Sequence, residues 1–272
     1  MIKSFIILFS FLLALYSSAQ QIDVGIYRGY NIQRVDFAYY DGSYMIKADT
    51  QSFGAILPNE YVSLRKTSDN KIELKHGVRL LGRFDKVTLI PTDKDLALRV
   101  RPRQPILKER KYRDGYRVEV GTNGLTIINA VTYKNYLGGV VESEGGGGKH
   151  IEYYKAQAVL SRTYALKHID RHKSEGFSLC DQVHCQAYHN MLIYTKDIEK
   201  AVVATDGEFI LDTVTNGLAD TFMPTVGDKQ VDRIMFGTRT FLICNRLKTH
   251  FVFIRDKRLG KRRFQKQNGE VF

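Results

Sequence analysis

Between Ile22 and about Val120, apolar and polar residues alternate in short runs that end at Gly, Asp, Asn or Pro. The segments VDFAYYDGSYMI, GAILP, EYVSLRK, KIELKHG, VTLIP, ALRVRP and YRVEVG carry this period, which buries one set of side chains and turns the other toward water. Residues 21–120 are expected to form a β-rich N-terminal domain. GLTIINAVTY supplies one more strand, and after it the period changes. From Ile151 to His172 apolar residues recur at Tyr154, Ala158, Leu160, Thr163, Tyr164 and Ala165, with Lys, Arg and His between them. That spacing predicts an amphipathic helix packed on the sheet, the only long helical pattern in the chain. A shorter helix is expected at 198–205, followed by the strand EFILD. The fold class is α+β: a β-rich N-terminal part and a mixed α/β catalytic part built around one long helix.

Composition narrows the function. Of the 272 residues, 43% are hydrophobic, enough to bury a core, which excludes a disordered tail protein. The formal charge of +12 invites a nucleic-acid reading until its distribution is examined. Residues 223–272 hold 12 Lys/Arg against 4 Asp/Glu, so two thirds of the excess sits in the last fifth. The remainder is nearly balanced, and nucleic acid is not expected as a partner.

The first twenty residues, MIKSFIILFSFLLALYSSAQ, place Lys3 before an apolar run from Phe5 to Tyr16 and end in Ser17, Ser18 and Ala19. This is the pattern of a signal peptide, residues 1–20, with cleavage near Ala19 or Gln20. The run is too short for a stable membrane span, which needs about twenty apolar residues. Export to the periplasm, cell wall or extracellular space is the expected localisation.

Two stretches carry candidate chemistry. Four consecutive glycines, Gly145 to Gly148, separate Glu144 from the long helix, which predicts a carboxylate on a bare-backbone loop at a helix N-terminus. Without side chains in the way, a long polymer can come close to Glu144. The other reading is a flexible lead-in, with the Glu merely favourable near the helix dipole. Further on, LCDQVHCQAYHN places Cys180, His184, Cys185, Tyr188 and His189 within ten residues. Two thiolates and an imidazole supply three zinc ligands, or the thiols close a small disulfide loop; the spacing leaves both open.

The span NAVTYKNYLGGVVESE, then YYKAQAVLSRTYALKH, EGFSLCDQVHCQAYHN and AVVATDGEFIL, in unbroken order over about residues 120–221, resembles the SpoIID/LytB family of peptidoglycan lytic transglycosylases. The resemblance implies a catalytic domain over residues 121–222 with Glu144 as the catalytic acid/base. It also implies substrate-binding roles for Ser143, Arg162, Gln186 and Tyr188, although Arg162 and Tyr164 also suit bracing of the helix. Cys180, His184 and Cys185 match the segment in which some members hold zinc. No cofactor is required for the reaction, and any zinc is structural. The implied partner is the glycan strand of peptidoglycan, stripped of stem peptides, with a cell-wall amidase acting upstream.

A glycoside hydrolase ordinarily needs two carboxyl groups. In a lytic transglycosylase the C6 hydroxyl of the substrate attacks its own anomeric carbon, so one Glu suffices if it begins protonated. Glu142 is the expected neighbour whose charge raises the Glu144 pKa, provided the chain between them is extended.

After EFILD the resemblance stops. Members continue with a segment like F-H-A-N-C-G-G-Q-T, whereas this chain reads TFMPTVGDKQVDRIMFGTRTF. Reading from the third base of each codon, with free choice at degenerate positions, Phe222 to Gln230 can become H-A-N-C-G-G-Q-T. Residues 223–272 are accordingly expected to be an out-of-frame basic tail left by a one-base loss near codon 222. Such a loss would remove part of the site and leave the preceding strand unmatched.

Overall fold

The computed structural model describes residues 21–212, 215 and 217–221, together with the backbone of 241–245, 250–254 and 263–266. The expected signal peptide lies outside the described residues. No described helix is long and apolar enough to cross a membrane.

Twelve strands come first: β1 (Gln21–Ile26), β2 (Arg34–Tyr39), β3 (Tyr44–Ala48), β4 (Gln51–Ile56), β5 (Tyr61–Lys66), β6 (Ile72–His76), β7 (Arg79–Phe84), β8 (Lys86–Pro91), β9 (Ala97–Gln104), β10 (Arg110–Arg113), β11 (Gly115–Val120) and β12 (Leu125–Thr132). Helices α1 (Tyr133–Gly145) and α2 (Ile151–Lys167), the two-residue β13 (Leu179–Cys180), α3 (Lys196–Ala204) and β14 (Glu208–Asp212) follow. The α+β class and the β-rich N-terminal part agree with the sequence pattern, which did not mark β1, β7, β10 or β13.

A seven-stranded sheet runs β13-β1-β12-β11-β8-β3-β4, and a six-stranded sheet runs β10-β9-β2-β5-β6-β7. Their apolar faces meet: Phe37 of β2 packs edge-on against Tyr116 of β11 at 5.1 Å, and Phe53 of β4 against Phe84 of β7 at 5.3 Å. Val24, Val35, Ile46, Leu64, Leu89, Val100 and Val118, the inward halves of alternating strands, are fully buried between them. β12 pairs with β11 on one side and β1 on the other, so the sheet passes through residue 120 unbroken. β13 adds in parallel to β1, with Val24 opposite Leu179 and Gly25 opposite Cys180. That pairing fixes the start of the cysteine segment to the sheet edge.

α1 was not expected. Its middle, Gly138-Gly139, is poor helix sequence, each glycine costing about 1 kcal/mol relative to alanine. The glycines stay because the chain after Gln186 lies directly on them. A Cβ on Gly139 would stand 2.4 Å from the Asn190 carbonyl oxygen and 2.5 Å from the Tyr188 ring. Buried Asp114 secures the other end, accepting from the Thr132 backbone N–H (2.8 Å), the Thr132 hydroxyl (3.0 Å) and Asn135 Nδ2 (2.9 Å). Thr132 in turn caps the helix by accepting from the Asn135 N–H.

α2 begins where expected but ends at Lys167, five residues short of His172, and His172 is turned into the cysteine cluster. The helix also packs differently. Its neighbours are α1, α3 and β14 rather than a large sheet, and Arg162, expected on the polar side, is 5% exposed. α3 and β14 stand within two residues of their expected places. Of the tail expected at 223–272, only the backbone of β15 (Phe241–Asn245), β16 (His250–Ile254) and β17 (Arg263–Lys266) is described, and β15 pairs antiparallel along all of β14, so that strand is not left unmatched as the out-of-frame reading expects.

Candidate active site and metal centre

The last turn of α1 carries three consecutive polar side chains, and the segment 187–195 hangs on them in reverse order. Glu144 Oε1 accepts from the Ala187 N–H at 3.0 Å, and Ser143 Oγ from the His189 N–H at 3.3 Å. Glu142 accepts from three successive N–H groups: Ile193 (2.8 Å), Tyr194 (2.8 Å) and Thr195 (2.9 Å). Glu144 therefore lies in the final turn of a helix, not on a loop at a helix N-terminus. Two residues apart on a helix, Glu142 and Glu144 point about 200° apart around the axis, which corrects the extended-chain expectation. Glu142 clamps backbone instead of repelling the Glu144 charge.

Burial provides what Glu142 does not. The Glu144 side chain is half-buried, and its Oε2 accepts no hydrogen bond among the described residues. Loss of water around the carboxylate pushes its pKa up to about 7, with the Ala187 N–H pulling the other way. Placement at the negative end of the helix dipole disfavours the charged form as well. A carboxyl group near pH 7 in this state can both give and take a proton.

The glycine run after the acid is itself bare of side chains, while the Glu144 Oε2 atom is buried. Gly146 and Gly148 have φ of 63° and 74°, and a Cβ on either would meet no atom within 4 Å. The buried Tyr154 hydroxyl holds the run from behind, accepting from the Lys149 N–H (3.0 Å) and donating to the Gly146 carbonyl (3.2 Å). Tyr153 covers Gly145, its ring 3.2 Å from where a Cβ would stand.

The other residues implied by the family resemblance divide. Gln186 precedes Ala187, whose N–H the acid accepts, and is 2% exposed: its Oε1 accepts from the Tyr136 hydroxyl at 3.0 Å, while its Nε2 is buried and donates to none of the described residues. Tyr188 does not face a groove, and Arg162 takes the bracing role. Tyr188 is wholly buried between the Tyr112 and Tyr136 rings and donates its hydroxyl to Asn129 Oδ1, so it has no face for a saccharide. Arg162 donates to the Val202 and Glu208 carbonyls and braces α2 against α3 and β14. Ser143, half-buried and already accepting from His189, shapes the loop beside the acid.

The cysteine segment forms a four-residue group. The ligand atoms of His172, Cys180, His184 and Cys185 all lie within 4.8 Å of one another. Cys185 Sγ stands 3.4 Å from His172 Nε2 and 3.7 Å from His184 Nδ1, and Cys180 Sγ is 3.7 Å from the same His184 nitrogen. Tetrahedral zinc with ordinary bond lengths sets sulfur–nitrogen edges of about 3.5 Å, so the group fits that ion. Both cysteines are free thiols. The hydrogen bond between the two thiols lowers the Cys185 pKa and raises that of Cys180, so without a metal the pair shares its proton unevenly, with Cys185 the readier thiolate.

Outer partners orient the group. His172 Nδ1 meets Glu175 Oε1 at 2.6 Å, leaving Nε2 to face the sulfur, and Arg28 grips the same carboxylate with two 3.0 Å bonds. Tyr164 and Arg171 both donate to the His184 carbonyl. Fully buried Asp181 accepts from the Tyr27 and Arg28 N–H groups and from Arg110, tying the segment to the β framework. His172 is the member of this group that sequence reading missed. It stands eight residues before Cys180, inside what read as continuous helix.

A family model described as Stage II sporulation protein, SpoIID, matches residues 121–211. No curated protein and no solved structure matches the chain. The match covers α1, α2, β13, α3 and nearly all of β14, and with them Glu144 and the four-residue group. It marks the chain as related to sporulation or the cell wall.

Proposed function

We propose that this chain, whose residues 121–211 match the SpoIID family model, is an exported peptidoglycan lytic transglycosylase. It cleaves glycan strands between N-acetylmuramic acid and N-acetylglucosamine and leaves 1,6-anhydro ends. The observation that carries this reading is Glu144: a half-buried carboxyl group whose pKa stands near 7, at a helix end followed by a run of glycines.

Glu144 begins protonated and gives its proton to the glycosidic oxygen as the bond to the anomeric carbon breaks. The resulting carboxylate takes the proton of the C6 hydroxyl as that oxygen closes onto the anomeric carbon. The proton lost in the first step is regained in the second, and no water is consumed. A second carboxyl group is not needed, and Glu142, held by three N–H groups on the far side of the helix, is not poised to act as one.

Zinc suits His172, Cys180, His184 and Cys185 and would supply a structural crosslink between the turn after α2 and the segment that contacts Glu144. The chain's own residues do the chemistry. Peptide-free strands are the preferred substrate in this reading, which makes a cell-wall amidase the upstream partner. Incubation of the full chain with such strands, followed by mass spectrometry, should show anhydromuramyl products that Glu144→Gln abolishes. Binding without any product would instead indicate a glycan-binding scaffold.

A further inference from the structure

Past the cysteine segment, most large side chains turn inward. Met191 is 5% exposed, and Leu192 lies against Gly138 of α1. Tyr194 is the exception, at 83% exposed. Its backbone is nonetheless tightly held, because Glu142 accepts the N–H groups of Ile193, Tyr194 and Thr195 in succession. Thr195 then serves as the N-cap residue of α3, and its Oγ1 comes within 3.4 Å of a Cβ placed on Gly147. An aromatic ring thus projects into solvent from an anchored base, next to the glycine run.

Its position relative to the acid follows from helix geometry. Glu142 and Glu144 leave α1 on opposite sides, so the groups they hold are separated by roughly a helix diameter, about 10–12 Å. The glycines lie between and add no side chain. On that geometry, a strand of pyranose rings bound with one linkage at Glu144 would pass Tyr194 a few rings along. A ring with equatorial substituents offers a flat face of C–H groups, and Tyr offers a π face with a hydroxyl at its edge.

We propose that Tyr194 is a distal saccharide platform that stacks on a ring of the strand away from the scissile bond and gives the site its preference for long strands over short ones. The proposal rests on the glycan reading above and deepens it by naming a subsite. Because the side chain is exposed, Tyr194→Ala should leave the unfolding temperature unchanged.

The test measures binding of full-length Glu144→Gln protein to peptide-free glycan strands by co-sedimentation, with and without a second substitution at position 194. Tyr194→Ala should weaken binding about 5- to 10-fold, and Tyr194→Trp should restore it. Short oligosaccharides that cannot span both places should bind alike in all variants. Unchanged binding of long strands by the Tyr194→Ala variant overturns the platform, and so does equal weakening for short and long. If binding depends on Tyr194 while the unsubstituted chain makes no anhydro product, the reaction fails and the platform stands. If product forms and binding ignores Tyr194, the reverse holds.

Discussion

Strands β1 to β12 are joined by backbone ladders over an apolar core, whereas the stretch from α1 to Thr195 hangs on side chains that accept from backbone. Glu144 holds Ala187, Ser143 holds His189, Glu142 holds Ile193 to Thr195, and Asp181 holds Tyr27 and Arg28. A ladder keeps its donors and acceptors whatever side chains it bears. A side-chain tie disappears with one substitution and leaves its N–H groups without their protein partner. The framework should therefore be tolerant where the site is brittle.

The largest difference should come from the metal group. A chelator, or Cys185→Ser, should lower the thermal midpoint by the equivalent of several kcal/mol, and elemental analysis should find a single zinc ion per chain. Next comes Gly139→Leu, which drives a side chain into the Asn190 carbonyl and the Tyr188 ring; it should cost about 3–5 kcal/mol in denaturant unfolding. A leucine at Gly54, which no atom approaches within 4 Å, lacks that clash and should cost less than half as much despite a φ of 80° there. Glu142→Ala removes three ties at once and should cost about 1–3 kcal/mol, with hydrogen exchange rising at residues 193–195 ahead of the strands.

The smallest expected effect on stability is a pH dependence at Glu144. Its carboxyl keeps a proton up to about pH 7, while the unfolded chain releases it near 4.5, so folded protein binds more proton across that window. Stability from this group is full below the window and is lost as pH rises through it. At pH 8, Glu144→Gln should be the more stable protein by about 1–2 kcal/mol, after allowance for partial exposure, and at pH 4 the two should match. Cleavage should fall above about pH 7, as the acid loses its proton before the substrate arrives.

The same division decides what the sequence made legible. Alternation marked most of the framework because strand pairing follows the two-residue period directly. α1 escaped because Gly138-Gly139 reads against a helix, and only its packing on Tyr188 and Asn190 explains the glycines. Glu144 stood out through the glycines after it, yet its setting was misread, since the helix before it was invisible. Three of the four metal-group residues share one short segment. His172 joins them only through the turn that ends α2, which no local period announces. Tyr188 and Arg162 matched the family pattern, but burial makes both structural.

The central claim is that one carboxyl group suffices because the substrate's own hydroxyl takes the place of water. Digestion of peptide-free strands in water enriched in oxygen-18, followed by mass spectrometry of the new ends, tests it most directly. The account predicts unlabelled anhydro ends. Reducing ends carrying the heavy oxygen, one for each bond broken, would contradict it.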